Sequence, residues 1–148
     1  MASVVSIVTR SAAPAERLFD ISLSIDEHQA SMAASGETAI AGVTSGAIGV
    51  GETVTWRARH FGIWFTMTSR ITSLDRPHRF VDEQVRGPFR AFRHEHVFEQ
   101  DAAGTTMIDT LTIASPIFGR LAERLVLVPY LRRLITARNR HLVDGLER

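Results

Sequence analysis

Two histidines separated by a single residue, His94 and His96 in RHEHVF (93–98), are the first groups in this chain with the chemistry of a site. A neutral imidazole can ligate a metal or take up a proton, and its protonated form can donate one, all near neutral pH. Asp109, in TTMIDTLTIAS (105–115), supplies a carboxylate that could orient one of these rings for acid–base work. Arg138, in LITARNR (134–140), could hold a carboxylate, phenolate or enolate through charge-assisted hydrogen bonds. His94, His96 and Asp109 are therefore the candidate catalytic groups. What they do depends on the elements that place them.

Side chains alternate across a strand, so Phe92, His94, His96 and Phe98 share one face and Arg93, Glu95, Val97 and Glu99 the other. The aromatic and imidazole face is the one expected to turn inward. On the following strand Met107, Asp109, Leu111 and Ile113 form the apolar set, with Asp109 its single polar member. On the preceding one Phe80, Asp82, Gln84 and Arg86 share a face too mixed in polarity to show which way it turns. Earlier, in ETVTWRARHF (52–61), Val54, Trp56 and Ala58 alternate against Thr53, Thr55, Arg57 and Arg59. The expected ligand-binding surface comprises Trp56, Phe92, His94, His96, Phe98, Met107, Asp109, Leu111 and Arg138. His-x-His on a strand resembles the metal-binding pair of cupins, but Glu99 has the wrong parity to complete such a set. Asp109 or His60 would be needed as a third ligand. No metal and no cofactor are expected.

Residues 3–10 (SVVSIVTR) are β-branched and read as a strand. Pro14 suits the first turn of a short helix, PAERLFDIS. Ser24 with Glu27 three residues on makes a capping-box pattern for a second short helix carrying Asp26 and His28, which would sit near a cavity mouth. Residues 36–52 are rich in glycine and small residues and read as a weak strand with a loop; no Gly-Lys-Ser/Thr ending marks a phosphate cradle. Antiparallel strands then follow at 52–61, 63–74, 79–86, 89–100 and 105–115, with turns at DRPHR, Gly87-Pro88 and DAAG. Ser115-Pro116 reads as the N-cap and first position of a C-terminal helix running to Arg148. Its stripe is Leu131, Leu134, Ile135, Leu142 and Leu146, with Arg138 on it and Arg132, Arg133 and Arg140 outside. Pro129 would collide with the carbonyl of Leu125, so a kink or break is expected near residues 125–129. A sheet with one buried face needs a cover, and the last helix is the only long apolar-striped candidate. A curved sheet around one helix leaves a cavity wherever large side chains do not fill the space.

The 148 residues amount to one domain, residues 1–148, with an ordinary globular proportion of apolar and charged residues. All 17 basic residues are arginine, dispersed among 16 acidic ones, so nothing in the net charge of +1 draws the chain to nucleic acid. The absence of cysteine excludes disulfides, thiol nucleophiles and Cys-ligated zinc. No apolar run approaches the roughly 20 residues of a membrane-spanning helix, so no membrane insertion is expected and a cytoplasmic location is the default reading. A homodimer is compatible with this composition.

The segments FGIWFTMTSRITSLDRPHRFVDEQVRGPF, FRHEHVFE and GTTMIDTLTIASPIFGRLAERL resemble bacterial members of the SRPBCC superfamily. This START-related, helix-grip group includes polyketide cyclase/dehydrase-like proteins and relatives of plant pollen allergens. The resemblance runs from PAERLFD to RNRHL. It implies an α+β fold in which a curved antiparallel sheet of about seven strands grips the C-terminal helix, with two short helices after the first strand. It further implies a cavity for a small hydrophobic ligand, whether lipid-like, aromatic or polyketide-like. The reading favours a non-enzymatic ligand-binding protein; the alternative is a cyclase, dehydratase or isomerase using a His/Asp acid–base pair.

Overall fold

The computed structural model of the protein describes residues 2–115 and 119–147. The chain begins with strand β1 (Ser3–Ser11), crosses through the short helices α1 (Ala15–Ser22) and α2 (Ile25–Ser31), and enters β2 (Thr38–Gly42). It then meanders through β3 (Thr53–His60), β4 (Ile63–Asp75), β5 (Arg79–Arg86), β6 (Ala91–Asp101) and β7 (Gly104–Ala114). The seven strands are antiparallel and stand in the order β1-β7-β6-β5-β4-β3-β2. The two short helices thus carry the chain from one edge of the sheet to the other, and the meander brings β7 back beside β1. The α+β, helix-grip expectation agrees with this architecture.

Of the capping-box pattern at Ser24 one half forms: its side chain accepts a hydrogen bond from the Glu27 amide at 3.2 Å, while the Ser24 amide donates to the Ile21 carbonyl. The loop after β2 is tied down at three points. Ile25 donates to the Gly46 carbonyl, Ile48 to the Leu23 carbonyl, and Asp26 accepts from the Gly46 amide at 2.8 Å. Ile48 is buried beneath it. Between β3 and β4 the chain reverses through Phe61 (φ 54) and Gly62 (φ 76), both in the left-handed region. That pair of positive angles gives the twist a two-residue hairpin needs, and glycine adopts it freely. Phe61 does so at a cost of about 1–2 kcal/mol. Its ring, half-exposed, lies 4.5 Å from that of Tyr130.

At the C-terminus, α3 (Gly119–Ala122) passes into a π-helical segment, Glu123–Leu127, and then into α4 (Val128–Leu146). The expected break at residues 125–129 is therefore a widened turn within a continuing helix. Pro129 stands in the first turn of α4, where its missing N–H removes no α-helical bond. The proposed N-cap and first position at Ser115-Pro116 includes a residue outside the described ones. The helix packs against β1, α1 and α2. Two apolar clusters form around it. One joins Leu18, Phe19, Phe80, Phe98, Met107 and Val143; the other joins Val5, Ile7, Leu111, Ile113, Leu131 and Ile135. Among the described residues no helix is long and apolar enough to cross a membrane.

Candidate functional site

Between the sheet and α4 lies a cavity of about 200 Å³. Its apolar wall includes Val54, Trp56, Ala58, Phe65, Met67 and Ile71 from β3 and β4, with Leu131, Leu134 and Ile135 from α4. At one end stand Asp82, His94, His96 and Arg138. Strand parity places the imidazoles there: His94 and His96 are 5% and 2% exposed, while Arg93 and Glu95 on the other face are only half-buried.

Register explains the contacts. His96 lies directly opposite Asp109 on β7 and opposite Phe80 on β5, and His94 opposite Asp82. Asp109 is fully buried behind the histidines and is the hub of the cluster. Its Oδ1 accepts from His94 Nε2 at 2.7 Å, and its Oδ2 accepts from Asn139 Nδ2 at 2.6 Å. His96 Nε2 donates to Asp82 Oδ2 at 2.9 Å, while its Nδ1 lies 3.2 Å from Asp109 Oδ1 without hydrogen-bond alignment. The His96 ring is clamped between Phe80, 4.0 Å away, and His94, 3.7 Å away. Arg138 is 3% exposed; its Nη1 donates to Asn139 Oδ1 at 3.2 Å and stands 3.7 Å from Asp109. Its Nε is buried without a partner.

These contacts set the charges. Burial opposes ionisation of Asp109, but the hydrogen bond from His94 and the close approach of His96 outweigh it and hold the carboxyl well below its usual range. Asp82 is likewise lowered, its burial outweighed by His96 and by the charges of His94 and Arg138. Burial also works against protonated His96, yet the Asp109 carboxylate 3.2 Å away and the bond to Asp82 win and raise its pKa. For His94, burial and the neighbouring imidazolium prevail over Asp109 and lower the pKa. Near pH 6.5, the ordinary imidazole value, the two carboxylates are thus balanced by one imidazolium, His96, and one guanidinium, with His94 mostly neutral. In that form His94 Nε2–H donates to Asp109 and Nδ1 keeps a lone pair.

Stability should follow pH accordingly. Above 6.5, the ordinary imidazole value, folded His96 holds a proton the unfolded chain has released, so its contribution falls as pH rises through the raised value. Below 6.5 the unfolded chain binds protons that folded His94, and folded His60 whose pKa burial also lowers, do not. Stability therefore falls again on the acid side, and further below 3.8 as Asp82 and Asp109 are forced to protonate. Denaturant unfolding across this range is expected to peak near pH 6.5. His96→Gln should flatten the alkaline limb and His94→Gln should shrink the acid one; unchanged limbs in both variants would contradict this assignment of charges.

Asp82, His94 and His96 each bring one ligand atom within 4.8 Å of the others, a grouping suited in principle to a cation. The third member is Asp82, where the sequence suggested Asp109 or His60. In the described arrangement His94 Nε2 is committed to Asp109 and His96 Nε2 to Asp82, which leaves His96 Nδ1 as the buried ring nitrogen without a hydrogen bond. A metal would have to displace the proton that holds His96.

Of the residues expected to bind ligand, Trp56, Phe92, His94, His96 and Arg138 line the cavity. Phe98, Met107 and Leu111 do not: they are buried in the two apolar clusters, where Phe19 packs edge-on to Phe98 and fills that end. Asp109 supports the wall from behind. Asn139, fully buried and bonded to Asp109, Arg138 and Thr9, was not anticipated, although it lies four residues after Ile135 on the buried face. His28, expected near a cavity mouth, lines the cavity, whereas the bond between His60 and Tyr130 was not read from the sequence. His28 bonds Glu37 and its ring lies 4.3 Å from that of Trp56, tilted by 33°, and His60 Nδ1 bonds the Tyr130 hydroxyl.

Comparison with known proteins places this geometry among relatives. The sequence profile described as "Polyketide cyclase / dehydrase and lipid transport" matches residues 2–147. No curated protein matches the sequence. Among solved structures, the Zhui aromatase/cyclase of a Streptomyces species is similar with a TM-score of 0.76 at 18% identity, covering 100% of this chain and 95% of that one. A protein of Thermus thermophilus superposes with a TM-score of 0.75 at 19% identity over 97% of this chain and 99% of its own. Major latex-like protein 151 of Panax ginseng gives 0.73 at 12% identity over 97% of each chain. At these identities the likeness is one of fold.

Proposed function

Since this chain belongs to the polyketide cyclase / dehydrase and lipid transport family, we propose that it binds a small, mainly apolar molecule, lipid-like, aromatic or polyketide-like, in the cavity between sheet and α4. The observation that carries this reading is Arg138, a buried guanidinium at an apolar cavity whose Nε has no partner in the protein. Such a group is costly unless something completes its hydrogen bonding. The cluster around it is already charge-balanced, so a carbonyl oxygen suits it better than a full anionic charge.

The test is to fill the space. Ala58 is buried on the cavity wall, and Ala58→Phe would place a ring in the void with little disturbance outside it. Titration with an apolar fluorophore, anilinonaphthalene sulfonate, is expected to give at least about tenfold weaker binding to the variant, some 1.4 kcal/mol. Native mass spectrometry of the purified protein should show a co-purifying small molecule in the wild type and not in Ala58→Phe. Equal binding by both, with the variant folded, would defeat the proposal.

A second reading is favoured by one contact, the 2.7 Å bond from His94 to Asp109. A neutral imidazole oriented by a buried carboxylate is a competent general base, and Arg138 could then steady the enolate formed when a proton leaves the carbon beside a carbonyl. This would make the chain a cyclase, dehydratase or isomerase. Multiple turnovers of a polyketide-like substrate, lost in His94→Gln, would decide for chemistry over carriage.

A further inference from the structure

The cavity has a second polar end that the binding reading alone does not use. Helix α4 faces it through Tyr130, Leu131, Leu134, Ile135 and Arg138. Tyr130 and Arg138 are eight residues apart on this helix, about 12 Å at 1.5 Å per residue. Between them the wall is apolar, formed by Leu131, Leu134 and Ile135 with Ala58, Phe65 and Met67 opposite. At the Tyr130 end, His60 Nδ1 is hydrogen-bonded to the tyrosine hydroxyl, and both side chains line the cavity.

The two ends differ in what they can recognise. At the first, Arg138 lines the cavity with one donor, Nε, left without a partner in the protein, in a cluster whose charges cancel near pH 6.5. At the second, burial lowers the His60 pKa and raises that of Tyr130, so both groups are neutral near pH 7. A neutral imidazole has one donor and one acceptor, and a phenol has one donor and up to two acceptor sites. Their mutual bond uses one of each kind and leaves one donor and at least one acceptor. The Glu37 carboxylate, whose charge reaches both groups, turns this end against an anion. A hydroxyl or a second carbonyl fits it.

We propose that the ligand is ditopic: an elongated, uncharged apolar molecule with a carbonyl oxygen at Arg138 and a hydroxyl or carbonyl at the His60–Tyr130 pair, the two at opposite ends of the apolar stretch of wall. The inference rests on the proposal that this cavity binds a small molecule, and names its chemical class.

Calorimetric titration with methyl octyl ketone and with the same ketone bearing a hydroxyl at its far terminus tests it. In an apolar pocket an added hydroxyl weakens binding, because it must be desolvated. Here it is expected to strengthen binding about five- to tenfold. That ratio between the two ketones should fall to one or below in Tyr130→Phe, which keeps the ring beside Phe61, and also in His60→Leu. The same ratio in wild type and in either folded variant would overturn the ditopic assignment, as would a wild-type ratio of one or less. In both cases, binding of the parent ketone would leave the broader proposal standing. Failure of both ketones and of the fluorophore to bind would overturn the two together.

Discussion

Asp109→Leu is expected to lower the thermal midpoint by roughly 10 °C, corresponding to a loss of about 3–5 kcal/mol for a domain of this size. Asp109 is fully buried and is the group that His94, His96, Asn139 and Arg138 all address. Removing it takes away the largest influence that keeps His96 protonated and leaves the His96 ring and the Arg138 guanidinium to share one carboxylate, Asp82. The cost comes from that uncompensated charge more than from any lost contact, because breaking a buried pair by deleting one partner strands the other. Two companion measurements separate this cause from simple misfit. Asp109→Leu with Arg138→Leu should recover part of the loss, since the second change removes the stranded charge. The deficit should also shrink as pH rises, when His96 gives up its proton. A loss below about 1 kcal/mol, or one unaffected by pH and by the second substitution, would remove Asp109 from the centre of the network.

The strand alternation in RHEHVF was enough to turn His94 and His96 inward and Glu95 away, because side-chain direction in a strand is a local property. The same rule placed Asp109, whose neighbours on β7 are apolar. It failed for Asp82, where Phe80 and Arg86 at the ends of one face give opposite hints. Neither strand composition nor spacing reveals that β4 and β5 pair with two register shifts, at Thr68/Ser69 and Ile71/Ser73. The His60–Tyr130 pair was illegible for a different reason. It joins a hairpin end to the first turn of α4, and its existence depends on how the π-helical segment before Pro129 carries that helix over the sheet. Asn139 was hidden because the stripe read from leucine spacing was too narrow. Helix α4 is enclosed by β1 on one side and by α1 and α2 on another, so Arg138, Asn139, Leu142 and Val143 are all buried.

Phe98 and Phe92 show what parity leaves undecided, which is depth along a strand. Both rings point inward from β6, yet Phe98 is 3% exposed and packed 5.2 Å from Phe19, while Phe92 is only half-buried and lines the cavity beside Phe89. The difference is made by α1, whose Leu18 and Phe19 fill the space over one end of the sheet and leave the other open. Phe98→Ala is therefore expected to cost about 3–5 kcal/mol, the range for deleting a ring from a packed core with a cavity left behind. Phe92→Ala enlarges a void that already exists and loses fewer packing neighbours, so its cost in denaturant unfolding should be clearly smaller. In ligand titration the order reverses: Phe92→Ala should change fluorophore affinity, and folded Phe98→Ala should keep it. Equal stability losses in the two variants, or an affinity change confined to Phe98→Ala, would mean that the ligand space reaches past His96 toward Phe19 and that the end described as core belongs to the site.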